Sequence, residues 1–339
     1  MGYHEDILNQ PKALAATLDA AAQPPVIIAK TGSDFLRGGL KRLVLTGMGS
    51  SLYAQQPLYL KLLSAGLPVT LIETSELIHH AQALLAPHTC VLAVSQSGRS
   101  AEIVHLLEKH TGRLLAVCND ANSPLAQAAH GLLLTQAGEE HTVSCKTYVA
   151  SLAALELMGE ALLGRPVEPR LAELRAVLPL VEHFLSGWQR HVADFQQLLV
   201  GVQNVIYAGR GASLAAALTA GLTTKESTRS PAEGMSSAAF RHGPLEMVSE
   251  KLFVLVFEGD EPTRRLNRRL VDEINALGGR ACLVGPSAQV AATHLPEVPA
   301  AARPILEMLP VQMLTLALAG LHGHKAGEFS QATKVTGIE

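Results

Sequence analysis

The sequence predicts an α/β protein of two lobes, each a parallel sheet flanked by helices, and three observations carry that reading. With 339 residues, the chain is long for a single core, so two domains of about 150 residues each are expected. Hydrophobic residues make up 48% and charged residues 17%, as suits parallel sheets covered on both faces. Apolar runs alternate with helical patterns of about 10 to 15 residues, the mark of βαβ units.

Taken in order, RLVLTGMGSS (Arg42 to Ser51) reads as a strand and its turn, followed by a helix from about Tyr53. PVTLIETS, CVLAVSQSG with its helix, LLAVCND and GLLLTQAGEE continue the alternation, and a helix begins near Lys146. From Leu171 to Gln203 an amphipathic stretch links the halves through helices broken near Pro179 or Gly187. Then the pattern restarts. NVIYAGRGASLAAAL repeats the design of RLVLTGMGSSLYAQQ, KLFVLVFEGDEPTRRL stands where TCVLAVSQSGRSAEIV stood, and RACLVGPSA where LLAVCNDAN stood. Matching order at matching intervals indicates two copies of one lobe. The expected division is a first lobe over residues 1–175, a linker helix over 176–202, a second lobe over 203–325 and a tail over 326–339.

Several function classes are excluded at this level. A formal net charge of -3 without a Lys/Arg cluster offers nothing to nucleic acid. The start MGYHEDILNQP has acids and no apolar core, so neither a signal peptide nor a membrane span is read there. LPVQMLTLALAGL reads as a buried helix, and no membrane partner is expected. Cys90, Cys118, Cys145 and Cys282 form no CxxC pair, which points away from zinc and disulfides and toward a reducing cytoplasm. His322 and His324 lack a third metal ligand of suitable spacing, and His79-His80 reads as structural. Both G-x-G turns lack the third glycine of a dinucleotide site, with Leu52 and Leu214 in its place. No cofactor and no metal are expected.

The stretch SQSGRS (Ser95 to Ser100) calls for chemistry. It lies where a buried strand opens into a helix, and a helix N-terminus presents unpaired N–H groups and partial positive charge to an anion. Ser95, Gln96, Ser97 and Ser100 add side-chain donors, Gly98 lets the backbone come close, and Ser50 and Ser51 occupy the neighbouring turn. A single serine there would usually cap its helix. Five hydroxyls at two adjacent turns favour phosphate. The counterpart in the second lobe, EGDEPT, carries Glu258, Asp260 and Glu261, which repel one.

TGMGSS, SQSGRSAEIV, CNDANSPLA, TVSCKTY, GRGASLAAALTAGLTTKES, AEGMSSAAFRHGPLEMV and the tail ATKVTGIE together resemble, in that order, the double sugar-isomerase (SIS) domain proteins. That group includes the isomerase half of glutamine:fructose-6-phosphate aminotransferase, SIS-type glucosamine-6-phosphate deaminases and deglycases of fructosamine phosphates. The resemblance implies two SIS domains, each a doubly wound, flavodoxin-like parallel sheet. It implies that Ser51, Ser95, Gln96, Ser97 and Ser100 hold a sugar phosphate, with Ser50 beside them, and that backbone groups near Thr142 and Val143 touch the sugar. Glu226 matches the base that moves a proton between C1 and C2, and His242 the histidine that opens the ring, reaching in from the neighbouring subunit of a homodimer. Lys334 matches the tail lysine that engages the open-chain carbonyl, on a tail that closes over the site.

The chemistry is sound apart from the resemblance. Shuttling a proton α to a carbonyl needs one carboxylate within reach of both carbons, ring opening suits a histidine near pH 7, and a lysine forms an imine or polarises the oxygen. Two departures stand out. No glutaminase domain is expected ahead of MGYHEDILNQP, and so no ammonia from glutamine. Thr223 stands where the aminotransferase and its nearest deaminase relatives have a lysine, removing a positive charge from beside the enediol oxygen. The expected activity is an isomerase and deaminase acting on a glucosamine-6-phosphate-like amino-sugar phosphate, giving a ketose phosphate and ammonia. The alternatives are a fructosamine-phosphate deglycase and a non-catalytic sugar-phosphate sensor.

Overall fold

The computed structural model describes residues 2–331, 333, 334, 336 and 337. Two compact units emerge. One holds Asn9–Glu140, Cys145–Leu178 and the described tail residues from Thr333 on; the other holds residues 2–8, His141–Ser144 and 179–331. They are called the N-terminal and C-terminal lobes below.

The N-terminal lobe carries β1 (Arg42–Gly47), β2 (Val69–Glu73), β3 (Thr89–Val94), β4 (Arg113–Cys118) and β5 (Gly131–Leu134), all parallel and ordered β2-β1-β3-β4-β5. This is the doubly wound order expected. The central strands are apolar without alternation because helices cover both their faces, and every residue of β3 is buried. Val44, Val91, Ala93 and Ala116 pack with Ile103 and Leu106 of α1 (Ala101–Lys109). Behind the sheet runs α2 (Lys146–Leu162), whose 17 residues are all buried. Its two carboxylates survive burial only because cations meet them: Lys61 donates to Glu156 and to Glu160 (2.9 Å), and Arg170 to Glu160 (3.2 Å).

The C-terminal lobe repeats the design with β6 (Asn204–Gly209), β7 (Ala232–Ser236), β8 (Leu252–Phe257) and β9 (Arg280–Val284), parallel and ordered β7-β6-β8-β9. Strand β7 was not legible in the sequence. AEGMS has no apolar run, and none of its residues is fully buried, because it is an edge strand. It exists where it does because α3 (Ser213–Thr228) lies directly on it. A Cβ on Gly221 would stand 2.4 Å from Gly234 N, and one on Gly234 would stand 2.0 Å from the Ala217 carbonyl oxygen. Helix and strand therefore touch backbone to backbone, and glycine is required on each side.

Two further helices complete the lobe's chemistry, α4 (Glu261–Ala276) and α5 (Arg303–Leu321). By length and composition α5 is apolar enough to cross a membrane, yet 83% of its apolar 18-residue window is buried inside the protein, as the sequence reading of LPVQMLTLALAGL expected. Within it Glu307 accepts from Ser213 Oγ (2.7 Å), while its second oxygen has no partner among the described residues. The helices between the lobes' sheets are Glu168–Arg175, Leu178–Ser186 and Trp188–Leu198. One break falls at Gly187, the other just before Pro179, which sits in the first turn of its helix.

Two outcomes follow for stability. Gly234→Ala forces a methyl against the Ala217 carbonyl, and urea unfolding should report a loss of about 3 kcal/mol; a loss below about 0.5 kcal/mol would show that the contact yields freely. Burial pushes the Glu307 carboxyl up to about 7, with the Ser213 hydroxyl and Arg303 opposing. An acid with a raised folded pKa destabilises the fold once ionised, so stability should fall as pH rises from about 4.5 through about 7. Glu307→Gln should flatten that part of the pH-stability curve, gaining about 3 kcal/mol relative to the parent at pH 8. Parallel curves for the two proteins would refute this.

Candidate active site

The loops after β1 and β3 meet at the point where the sheet's winding reverses, since β1 connects outward to β2 on one side and pairs with β3 on the other. Ligands of open α/β sheets bind in the crevice at such a point. The first turn is clamped by buried Gln55, whose amide donates to Thr46 O (2.9 Å) and Ser51 O (3.0 Å). Ser50 and Ser51 follow Gly49 as a short helical turn, both half-buried, and the main helix starts only at Gln56, later than the position near Tyr53 that the sequence suggested.

The second turn is built by its own serines. Ser95 Oγ accepts from Gly98 N–H (3.1 Å), and Ser97 Oγ from Arg99 N–H (3.2 Å). A hydroxyl that accepts still has its proton to give, so both can donate to an anion. Gly98 has φ +61, and a Cβ there would lie 2.3 Å from Ser123 Oγ. Its role thus differs from the one expected: the glycine seats the loop against Ser123, and its N–H is taken by Ser95. Gln96 anchors the turn through its carbonyl, which accepts from Asn119 N–H (3.0 Å). Ser100 stands at the N-cap of α1, yet its hydroxyl makes no capping bond. Ala101 N–H donates to Thr336 O of the tail instead (3.2 Å). Arg99, the loop's cation, turns to Asp120 (2.9 Å) and holds that carboxyl below the usual range. The seat is therefore one of hydroxyls.

Lys334 lies in the same lobe. Its Nζ donates to Glu140 Oε2 (2.7 Å), and Glu140 also accepts from Thr147 Oγ1, from Cys145 N–H (2.9 Å) and from Thr147 N–H (3.0 Å). The sequence reading missed Glu140, which passed as the polar end of GLLLTQAGEE. An acid six residues ahead of a helix start was the available signal. Ala332, Val335, Ile338 and Glu339 of the tail motif lie outside the described residues.

Glu226, His242, Thr142 and Val143 belong to the C-terminal lobe. Glu226 is half-buried near the end of α3, whereas Lys225 is exposed and Thr223 buried. Successive helical residues point about 100° apart, so Lys225 does not replace the lysine that Thr223 lacks. Tyr207 OH and Thr224 Oγ1 are hydrogen-bonded inside the lobe (2.6 Å), and burial pushes the phenol well above its usual range. Gly327 N–H donates to Ser227 O (3.0 Å) and Arg229 to Glu328 O (3.0 Å), tying the approach to the tail onto the helix end beside Glu226. Val143 is buried and Thr142 half-buried; His141 N–H donates to Asp6 (3.1 Å).

His242 is exposed, on a loop fixed from both sides. Phe240 is fully buried and Arg241 pairs with Glu273 of α4. Upstream, Arg210 Nε donates to Ser237 Oγ (3.0 Å), Ser237 Oγ to Asn267 Oδ1 (2.7 Å), and Asn267 Nδ2 to Glu258 O (3.0 Å). The acids of EGDEPT are held rather than bare. Burial pushes the Glu258 carboxyl up, but Ser287 N–H (2.9 Å) and Arg268 Nε (2.8 Å) outweigh it and keep the group below the usual range. Asp260 pairs with Arg303. His322 Nδ1 lies on the Ser230 hydroxyl (3.1 Å), and no group of three metal-ligating side chains occurs among the described residues.

These two lobes match known proteins. The chain is 26% identical over 351 residues to the glutamine--fructose-6-phosphate aminotransferase [isomerizing] of Pyrococcus horikoshii, covering 99% of this chain and 57% of that protein; it thus spans little more than half of that relative's length. Among solved structures, the C-terminal domain of glucosamine-fructose-6-phosphate aminotransferase from Francisella tularensis superposes with a TM-score of 0.80 at 19% identity, covering 96% of each chain. Glucosamine-6-phosphate deaminase from Thermotoga maritima does so at 0.72 and 17%, covering 96% of this chain and 100% of that one. Those two likenesses are of fold. The SIS domain model matches twice, over residues 40–161 and 198–319, and the chain belongs to the SIS domain family, carrying two such domains.

Proposed function

We propose that the protein is a phosphosugar isomerase and deaminase, acting on an amino-sugar phosphate of the glucosamine-6-phosphate kind to give a ketose phosphate and ammonia. The observation that carries this reading is the hydroxyl seat at the reversal point of the first sheet, with the tail strapped by Thr336 to the helix which that seat opens. Ser51, Ser95, Ser97 and Ser100 take the phosphate, with Ser50 and Gln96 in support. His242 passes a proton between the ring oxygen and the anomeric hydroxyl, opening the sugar. Glu226 removes the proton from C2 and returns it to C1, so the amine-bearing C2 becomes an imine. Water adds to that imine, the C–N bond breaks, and ammonia leaves with the ketose behind. Half-burial of Glu226 suits a base that must be reachable and yet shielded. The exposure of His242 suits a residue presented to the neighbouring subunit of a homodimer. The relatives' names point the same way, toward aminotransfer with isomerisation and toward deamination. Cleavage of a fructosamine phosphate is the second reading, since the same acid and base serve it.

The purified protein should release ammonia from glucosamine 6-phosphate within a panel of amino-sugar and fructosamine phosphates; release of a free amine from fructosamine phosphates alone would shift the assignment to the deglycase, and no release from any would leave only the sensor. Glu226→Gln should lower turnover about 1000-fold while sugar-phosphate binding persists, and retained activity would eliminate this base. In calorimetry, Ser95→Ala combined with Ser97→Ala should weaken sugar-phosphate binding about 10- to 100-fold; unaltered affinity would place the phosphate elsewhere.

A further inference from the structure

We infer that the C-terminal lobe binds a small monovalent cation, about the size of a water molecule, on Glu307 of α5. The site lies wholly within that lobe and stands apart from the proposed function.

A cavity opens at the carboxyl ends of β8 and β9, with Glu258, Gly259, Gly285, Pro286, Arg303 and Glu307 in its lining. It has room for about one water-sized occupant. Glu307 is 1% exposed, and its Oε2 has no hydrogen-bond partner among the described residues, while Ser213 Oγ donates to Oε1 (2.7 Å). A carboxylate oxygen left unmet at this depth is costly, so the occupant has to bring a donor or a positive charge. The lining brings little of either. Pro286 and Pro296 have no N–H, and Leu295 N–H donates to Gly285 O (3.3 Å).

The surrounding charges favour a cation over a neutral donor. Glu258, which follows β8, pairs with Arg268 of α4, and Asp260 pairs with Arg303 at the start of α5. Glu297 meets Arg264 of α4 (2.9 Å) and Arg303 (3.2 Å). Each of those three acids has its guanidinium, whereas Glu307 is met by a hydroxyl. Arg303 lines the same cavity, but its terminal nitrogens donate to Asp260, Glu297 and Val298 O (3.4 Å). Burial pushes the Glu307 carboxyl up to about 7, so a proton meets its charge in acid, and above neutrality that charge calls for another cation. A monovalent ion matches it in sign and size. A divalent ion would find a single open carboxylate where it needs several oxygen ligands.

Thermal unfolding at pH 8, where this carboxyl is ionised, tests the inference. At constant ionic strength, replacing choline chloride by potassium chloride or ammonium chloride should raise the melting temperature by about 2 to 4 °C. Glu307→Gln keeps the packing and removes the charge, so in that variant the rise should vanish. A rise with both salts upholds a site selected by charge and size, and a rise with ammonium alone upholds one selected by its N–H donors. Equal melting temperatures in all three salts, or an equal rise in Glu307→Gln, overturn the inference. Crystals grown in rubidium chloride give a second measurement: an anomalous peak should stand on Glu307 Oε2, and ordered water alone at that oxygen overturns the site.

Discussion

A parallel sheet that reverses its winding leaves two adjacent loops diverging from neighbouring strand ends, and the candidate site depends on that constraint. Between β1 and β3 the diverging loops are short, serine-rich and tied down by bonds made within the lobe. Gln55 clamps the Ser51 turn, Ser95 takes the Gly98 amide, and Asn119 holds the Gln96 carbonyl. With the scaffold bonds supplied locally, hydroxyl protons are left to face outward. A seat of neutral donors at a helix N-terminus stabilises an anion without the desolvation cost of a buried cation.

The second lobe answers the same geometry in the opposite sense. Glu258 follows β8 as Ser95 follows β3, and there the protein supplies the anion itself: a buried carboxylate surrounded by Ser287 and Arg268. The equivalent edge is thereby filled from within. The loops of that lobe are tied to one another. The chain Arg210, Ser237, Asn267 ties the His242 loop to the end of β8, and Arg241 pins it to α4. Two lobes of one design thus diverge by which side of a single contact, anion or donor, the sequence carries.

What the sequence disclosed and what it hid have a common physical origin. Strands β1, β3 and β8 announce themselves because burial on both faces demands unbroken apolar runs. The serine seat was legible because its residue types are dense at two adjacent turns. Strand β7 was hidden because its identity comes from backbone contact with α3 at Gly221 and Gly234, and glycine in sequence reads as a break. Glu140 was hidden because its meaning is set by residues five and seven positions on and by Lys334 near the far end of the chain. The helices α2 and α5 carried no amphipathic stripe, being buried on all sides, so their buried acids Glu156, Glu160 and Glu307 could not be told from surface charges until their partners were known.

Charge near the proposed base bears on where the developing negative charge is met. Thr223 is buried and neutral, and Lys225 is exposed one position from Glu226, so α3 brings no cation to the inner side of its own carboxylate. Removing a proton α to a carbonyl builds negative charge that something must meet. With an unsubstituted sugar, the whole of that stabilisation would have to come from the protein. An amino sugar or a sugar-amine adduct is no different, because its nitrogen enters as an amine on the carbon that loses the proton: the charge develops on the carbonyl oxygen, and the imine exists only once the proton has been returned. Threonine in place of lysine therefore leaves that oxygen to be met by a donor that α3 itself does not carry.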